Sequence, residues 1–303
     1  MRKTGMVVLA IMLFMAFYGC NKPQPEEPSV ITITLVSTTE VENVHGTIVE
    51  ALYSDSTRMY FRLLSDTTAE VASYHDFYEW GHESGGWIYR GKVTVPEVLS
   101  HAGKDLSVVG VGSQAFGMYS DGHGYESPSW VTEVVLPQSI TSIGDMAFFE
   151  CSDLTSVNIP SAVTYIGYSA FSGTGLTSIE IPNSVTMISV GCFADCEHLN
   201  SVKLPNTLVR IGHNAFSDCT SMTEFEIPES VAFLGNYVVS NNLKTLICRP
   251  TTPPSNLLNI PEEGPIRLND SNQIETIYVP MGSVEAYKGY YAWQLYRDII
   301  VGF

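Results

Sequence analysis

Apolar and polar positions in the middle of the chain recur with a period of about 23 residues. Each unit follows the pattern L-x-x-[VIF]-x-[IL]-P-x-[ST]-[VIL]-x-x-I-G-x-x-A-F-x-x-C. The prolines that mark the units lie 23, 22, 23 and 23 residues apart, at Pro137, Pro160, Pro182, Pro205 and Pro228. Five tandem copies of one pattern are typical of repeat architectures, in which neighbouring units pack on one another.

Each part of the unit predicts a local structure. The apolar residues before the proline alternate with polar ones, as in a half-buried strand, and proline ends the strand because it has no N–H to donate. A glycine after the second apolar pair is expected to adopt positive φ; it occurs at Gly144, Gly167, Gly212 and Gly235. The aromatic residue of the Ala-Phe pair is expected to stack in one interior column, at Phe148, Phe171, Phe193 and Phe216. Because one unit cannot bury its apolar positions alone, the pattern predicts a solenoid.

The repeats resemble the BspA-like leucine-rich repeat family, also called the Treponema-type repeat, which is found in bacterial surface proteins. The LxxVxIP strand and the IGxxAFxxC segment carry this resemblance, over about residues 106–250. The resemblance implies a leucine-rich-repeat fold and adhesion to extracellular matrix or to other cells. It does not name a ligand.

Degenerate units and flanking segments define the predicted domains. The first unit is the imperfect stretch 106–116, and the repeats are assigned to residues 106–250. Residues 30–105 lack the period, although strand-like alternation predicts an N-terminal β cap there. Residues 251–303 hold a last strand and an aromatic segment, 282–296, that predicts a short helix covering the final coil. The predicted fold is mainly β, a leucine-rich-repeat solenoid with an N-terminal β cap and a C-terminal strand-plus-helix cap.

The N-terminus predicts secretion and a lipid anchor. Arg2 and Lys3 precede an uncharged apolar run, 6–18, that is too short to span a bilayer, which takes about 20 residues. Gly19-Cys20 resembles the lipobox of bacterial lipoproteins, which implies a signal peptide over 1–19 and acylation of Cys20. A proline-rich tether, 20–29, follows. We expect the chain to be held at the outer membrane or cell surface of a Gram-negative bacterium. An ordinary signal peptide and an uncleaved anchor are the alternatives, since Phe17 and Tyr18 stand where small residues are usual.

Charge and motifs narrow the classes of function. The chain has 32 acidic against 15 basic residues and a net charge of −17, so it is repelled by nucleic acids and anionic lipids. We therefore expect no nucleic-acid partner, and membrane contact only through the lipid anchor. No nucleophile elbow, P-loop or dinucleotide motif occurs, so neither an enzyme nor a cofactor is expected. The densest group of metal-ligand types lies within 75–83, where glycines favour a loop over a metal site.

The cysteines of the repeats leave one alternative open. Cys151, Cys196 and Cys219 occupy the same position of successive units, where cysteines usually serve as small buried apolar residues. Cys196 and Cys219 belong to adjacent units and are near enough in the predicted stack to form a disulfide in an oxidising compartment. Both readings remain compatible with the sequence.

The solvent-facing positions of the predicted strands form the candidate binding face. They are the second, third and fifth residues of L-x-x-V-x-I and are mostly Ser and Thr, and Lys203 is expected to pair with acidic residues on both sides, Glu180 and Glu226. The candidate residues are Thr155, Ser156, Asn158, Thr177, Ser178, Glu180, Asn200, Ser201, Lys203, Thr223, Glu224 and Glu226. Such a face is either a platform for a protein or simply a solvated β surface.

The sequence leaves three hypotheses for the function of the protein. The first is a non-enzymatic surface lipoprotein that binds a host or bacterial surface protein. The second is a glycan-binding accessory lipoprotein that uses aromatic residues of the caps, with Trp80 and Trp87 as the candidate site. The third is a structural envelope protein without an external ligand.

Overall fold

The structure is a computed structural model that describes residues 35–43, 46–53, 58–73, 89–117, 130–256, 265–271 and 273–303. Within these residues it contains 21 β-strands, one short α-helix and two 3₁₀ segments. The fold is therefore mainly β, as the sequence predicts. The buried apolar side chains form one contiguous core that extends from Val49 to Ile300.

Eleven strands lie between residues 35 and 166. They are β1 (Leu35–Asn43), β2 (Gly46–Tyr53), β3 (Arg58–Leu63), β4 (Thr68–Val71), β5 (Arg90–Thr94), β6 (Val98–His101), β7 (Lys104–Val111), β8 (Trp130–Val135), β9 (Ser142–Ile143), β10 (Ser156–Val157) and β11 (Tyr165–Ile166). The later strands are β12 (Ser178–Glu180), β13 (Met187–Ile188), β14 (Ser201–Lys203), β15 (Arg210–Ile211), β16 (Glu224–Ile227), β17 (Phe233–Leu234), β18 (Thr245–Cys248), β19 (Ser255–Asn256), β20 (Thr276–Val279) and β21 (Ile300–Gly302).

The N-terminal strands are paired mostly antiparallel. β1 to β4 form a meander, β6 and β7 form a hairpin, and β4 pairs with β7 in parallel. The parallel pairing that is characteristic of the repeats begins at β5, which aligns with β8. The ladder therefore extends into residues 30–105, the segment assigned from the sequence to the N-terminal cap.

Each repeat contributes two strands to two parallel ladders. The first strand ladder contains the strands that precede the prolines, together with the last strand β21, paired as β5-β8-β10, β12-β14 and β16-β18-β20-β21. The second strand ladder contains β7 and the two-residue strands that follow the prolines, paired as β7-β9-β11 and β13-β15-β17-β19. Partners on adjacent strands are one repeat apart, as in Ile179 opposite Val202 and Ile188 opposite Ile211. The repeat period therefore places equivalent side chains side by side.

The turns after the second ladder are also hydrogen-bonded from repeat to repeat. The N–H groups of Met146 and Phe148 donate to the carbonyls of Tyr168 and Ala170, both at 2.8 Å. The same pattern recurs two repeats later, where Phe193 N–H donates to the Ala215 carbonyl at 2.9 Å. These bonds satisfy backbone groups that would otherwise be buried without partners.

The prediction that the repeat glycines adopt positive φ is wrong. The positive φ lies two residues later, at Met146, Ser169, Gly191, Asn214 and Tyr237. The glycines are needed because the backbone of the preceding repeat lies against them. A Cβ at Gly144 would come within 2.6 Å of Ser113 N, and one at Gly167 within 2.5 Å of Asp145 N.

The predicted phenylalanine column is confirmed. Phe148, Phe171, Phe193 and Phe216 are fully buried, with ring centroids 5.1–5.3 Å apart and planes within 8° of parallel. Phe116 extends the column at 5.0 Å from Phe148, so the imperfect unit 106–116 takes part in the same stack. Five successive units therefore each contribute one buried phenylalanine to a continuous stack.

The aromatic C-terminal segment is less regular than predicted. A helix, α1, covers only Val284–Gly289, and 3₁₀ segments at Met281–Ser283 and Tyr291–Tyr296 flank it. Trp293 is fully buried, and its Nε1–H donates to the Pro254 carbonyl at 2.8 Å. The Tyr287 hydroxyl donates to the Pro250 carbonyl at 2.8 Å. These two anchors attach the segment to the end of the repeats and bury its aromatic side chains.

Candidate binding surfaces

The first strand ladder exposes all twelve side chains of the predicted binding face. Strand alternation places them on the outside. In β12, for example, Ser178 and Glu180 are exposed while Ile179 is buried. We call this surface the polar strand face: Thr155, Ser156, Asn158, Thr177, Ser178, Glu180, Asn200, Ser201, Lys203, Thr223, Glu224 and Glu226. The exposure that the sequence predicts is confirmed, whereas a binding role stays a prediction.

Charged pairs cross this face in a different arrangement from the one expected. Lys203 Nζ lies 2.6 Å from Glu180 Oε1, as predicted. The expected second pair, with Glu226, does not form, because Glu226 accepts from Arg249 Nε at 2.9 Å. The physical reason is the pairing of the strands: β12 pairs with β14, while β16 pairs with β18. Both ion pairs are largely exposed and contribute about 0–1 kcal/mol each.

Asn158 has a structural role that the sequence does not reveal. Its Oδ1 accepts from the Leu136 N–H at 2.7 Å, and its Nδ2 donates to the Leu136 carbonyl at 2.8 Å. The side-chain amide therefore pairs with the backbone of the preceding repeat in the way that a neighbouring strand residue would. Less of its hydrogen-bonding capacity remains for a partner than for its neighbours on the polar strand face.

The second strand ladder carries an exposed surface that sequence reasoning missed. In β11 and β13, Tyr165 and Met187 point outward while the following isoleucines are buried. We call this surface the apolar strand face: Tyr165, Tyr168, Met187, Val190 and Val209, each about 38–45% exposed. Aligning the units shows the signal: a large apolar residue stands directly before the buried isoleucine in β11 and again in β13, where alternation would place a polar residue.

A cation–π contact lies next to the apolar strand face on its C-terminal side. The Arg210 guanidinium carbon lies 4.6 Å from the centre of the Phe233 ring, its cross-strand neighbour. Such a contact contributes about 0.5–1 kcal/mol at an exposed site. The contact keeps the guanidinium over the Phe233 ring. The apolar strand face is therefore bordered by a positive charge on its C-terminal side.

A groove of about 510 Å³ lies beside the apolar strand face, over the turns of the repeats. Tyr168 and Val190 line it on one side, and Asp195, Asp218 and Asp270 are among its polar residues. Partial burial, and then the neighbouring Asp218 and Glu197 carboxylates, raise the pKa of Asp195. The groove is therefore acidic, and its carboxylates repel one another.

The five cysteines from Cys151 onward are free thiols and are buried. The Sγ atoms of Cys151, Cys196 and Cys219 donate to main-chain carbonyls of phenylalanines in the preceding repeat, at 3.0–3.1 Å. Burial raises the pKa of Cys196 to about 11. These side chains act as small apolar residues whose thiols hydrogen-bond to the main chain, and the Cys196 Sγ also lies 3.2 Å from Thr174 Oγ1. Cys196 and Cys219 are not bridged in the structure.

Several predicted features lie outside the described residues. They are Cys20, the candidate aromatic site Trp80 and Trp87, and the ligand-type residues within 75–83. In the part of the chain that the structure describes, no group of His, Cys, Asp and Glu is placed to hold a metal ion. No described helix has the length and apolar character needed to cross a membrane.

The aromatic residues of the C-terminal segment serve mainly as core. Tyr287, Trp293 and Tyr296 are buried, and the Trp293 ring contacts both tyrosines edge-on. Tyr291 is about half exposed. The structure therefore gives most of this cluster a packing role.

Stacked parallel strands, a repeat of about 23 residues and a buried phenylalanine column define a leucine-rich repeat protein. Comparison with protein families agrees, since residues 125–245 match the BspA type leucine rich repeat region in six copies. The repeats of this chain are therefore leucine-rich repeats of the BspA type. A comparison with curated protein sequences found no match.

Comparison with solved structures found similar bacterial proteins. The pneumococcal vaccine antigen PcpA is 17% identical over 80% of this chain and 65% of its own, with a TM-score of 0.52. The chain thus spans about two thirds of the length of the PcpA structure. The leucine-rich repeat protein of T. pallidum is 27% identical over 61% of this chain and 77% of its own, with a TM-score of 0.49. A leucine-rich repeat protein from Bacteroides ovatus is 19% identical over 75% of this chain and 70% of its own, with a TM-score of 0.43.

Proposed function

We propose that this chain is a non-enzymatic, cell-surface lipoprotein that binds a protein partner through its leucine-rich repeats. The observation that carries the proposal is the polar strand face, where stacked repeats present twelve exposed side chains on parallel strands. Short Ser, Thr and Asn side chains lose little rotamer entropy on binding and donate and accept hydrogen bonds. A family of bacterial surface proteins with the same type of repeat supports this choice.

The architecture behind the proposal is one continuous solenoid. The N-terminal strands β1–β4 and the β6–β7 hairpin would serve as its N-terminal β cap. The last strands, α1 and the buried Trp293 and Tyr287 would close the other end. Repeat proteins need such caps, because a terminal unit otherwise leaves its apolar surface in water.

The proposed location rests on the N-terminal sequence. Cleavage before Cys20 and acylation of its thiol would anchor the chain by lipid, with residues 20–29 as a tether. The variant Cys20→Ala should move the protein into the aqueous phase in a detergent phase-separation assay. Detergent-phase partitioning unchanged from the wild type would refute the lipid anchor.

The proposed binding is tested on an array of purified matrix proteins and glycans. The described core lies entirely within residues 35–303, so the chain from Asn21 onward keeps all of it. The test variant places two arginines on the polar strand face, Ser178→Arg with Thr223→Arg. The control places the same charges at exposed positions that are not members of it, Ser161→Arg with Ser221→Arg.

The array separates the three functions. Binding to a protein that is lost in the test variant and kept in the control supports the proposal. Binding to a glycan that is lost in Trp80→Ala or Trp87→Ala would favour the accessory glycan-binding protein. Absence of binding, together with failure of protease to release the protein from intact cells, would favour a structural envelope protein.

A further inference from the structure

The exposed apolar side chains of the repeats are concentrated on one surface. Between residues 130 and 256, which the structure describes without a gap, every well-exposed large hydrophobic side chain lies on the apolar strand face. The polar strand face contributes none. Contiguous apolar surface on otherwise hydrophilic repeats marks an interaction site, and Tyr, Met and Arg are the residue types enriched in protein–protein interfaces.

The acidic groove is continuous with this surface. Tyr168 and Val190 belong to both, because each forms part of the apolar strand face and lines the groove. Beyond them lie the carboxylates of Asp195, Asp218 and Asp270. Among the described residues, no basic side chain forms an ion pair with these three carboxylates.

We propose that the apolar strand face and the acidic groove together bind a protein segment that presents apolar side chains next to a lysine or arginine. The apolar side chains would cover Tyr165 and Met187, and the cation would enter the groove beside Asp195. Charge complementarity decides the chemistry of this occupant, since a cation relieves the repulsion within the groove. The inference rests on the proposed protein-binding function and adds to it a second surface, distinct from the polar strand face.

A second copy of the chain is a poorer occupant. Two-fold association through this surface would bring the carboxylates of two grooves close together. The chain carries a net charge of −17, which adds long-range repulsion between copies. A basic segment of another protein meets neither obstacle.

The test measures binding of two short fluorescent peptides to residues 21–303 by anisotropy. One peptide alternates leucine with lysine, and the other has the same leucines with glutamate in place of each lysine. The lysine peptide should bind at least about tenfold more tightly than the glutamate peptide. Its affinity should fall as salt is raised, because the contacts in the groove are electrostatic.

The apolar half of the site is tested by Tyr165→Ser with Met187→Ser. Both side chains are exposed, so the fold should be kept, which a thermal melt would check. The variant should weaken the lysine peptide about tenfold. The matched control, Leu64→Ser with Val98→Ser, removes exposed apolar side chains outside the repeats and should leave binding unchanged.

The acidic half is tested by Asp195→Asn with Asp218→Asn. This variant should weaken the lysine peptide about tenfold and flatten its salt dependence. The control Glu97→Gln with Glu229→Gln removes two exposed charges that belong to neither strand face nor the groove, and it should have no such effect. Equal losses in both variants would show unspecific attraction to an acidic protein and overturn the proposal.

Two further outcomes would overturn the inference. If residues 21–303 self-associate in sedimentation velocity and Tyr165→Ser with Met187→Ser abolishes this, a second copy is the occupant. If the array identifies a protein partner whose binding depends on Ser178 but the lysine peptide does not bind, this surface is not the docking site. In that last case the proposed function stands and only its assignment to this surface fails.

Discussion

The phenylalanine column should supply a large share of the stability of the repeats, and Phe193→Ala tests this. Phe193 is fully buried, and it stacks on Phe171 and Phe216 with centroid distances of 5.3 Å and interplanar angles of 2°. Removing a buried Phe side chain costs about 3–5 kcal/mol, from lost burial and the cavity that remains. Since domains are stable by about 5–15 kcal/mol, this one substitution should remove roughly a fifth or more of the total.

The stacking component can be separated from burial by substitution with leucine. Phe193→Leu keeps most of the apolar volume but loses two stacked contacts, worth about 0.5–1.5 kcal/mol each. A double-mutant cycle of Phe171→Leu and Phe193→Leu should therefore show coupling of about 0.5–1.5 kcal/mol. The matched cycle of Phe171→Leu and Phe216→Leu pairs rings that are not in contact and should be additive to within about 0.5 kcal/mol.

The assay is urea denaturation of residues 21–303 followed by far-ultraviolet circular dichroism. Phe303→Ala serves as the control for the same chemical change at a side chain that is about half exposed. It should cost less than about 1 kcal/mol. The reasoning is refuted if Phe193→Ala costs no more than Phe303→Ala, or if the two leucine cycles show equal coupling.

The remaining predictions concern the glycine slot, the thiols and the acidic groove. Gly144→Ala should destabilise the fold by about 1–3 kcal/mol in urea, since its Cβ would meet Ser113 N, whereas Gly289→Ala, with open space around it, should not. The five buried thiols should resist a thiol reagent in the folded protein at neutral pH and react after unfolding, and labelling of the native state would contradict their burial. The raised pKa of Asp195 means that its ionised form is disfavoured by folding, so the destabilisation is present above the folded pKa and fades as pH falls towards the unfolded value. Asp195→Asn should therefore stabilise the protein more at neutral pH than at acid pH, and a gain independent of pH would point instead to backbone preference.

Much of the fold follows from the order of residues alone. The alternation before each proline predicts which side chains of the first strand ladder are outside, and all twelve members of the polar strand face are exposed. The Ala-Phe pair predicts the interior column, because a large aromatic residue at a constant position of each unit must meet its equivalents. Both results depend only on the period and on the requirement to bury apolar surface.

The repeat glycines, such as Gly144 and Gly167, show what the order of residues cannot predict. A glycine has two uses, positive φ and close approach of another backbone, and the sequence does not distinguish them. The tertiary contact with the preceding repeat decides for close approach. The positive φ is placed instead on residues such as Met146 and Ser169, whose side chains give no sign of it.

The sequence by itself determined the repeat, its inside and outside, and the class of protein, because those properties are periodic and local. Only the tertiary structure decided which side chains of the second strand ladder point outward. Strands of two residues are too short to show alternation, so the structure alone shows that Tyr165 and Met187, at equivalent positions of successive units, are exposed. The groove of Asp195 and Asp218 arises in the same way, since carboxylates separated by a whole repeat are brought together by the pairing of turns from one unit to the next.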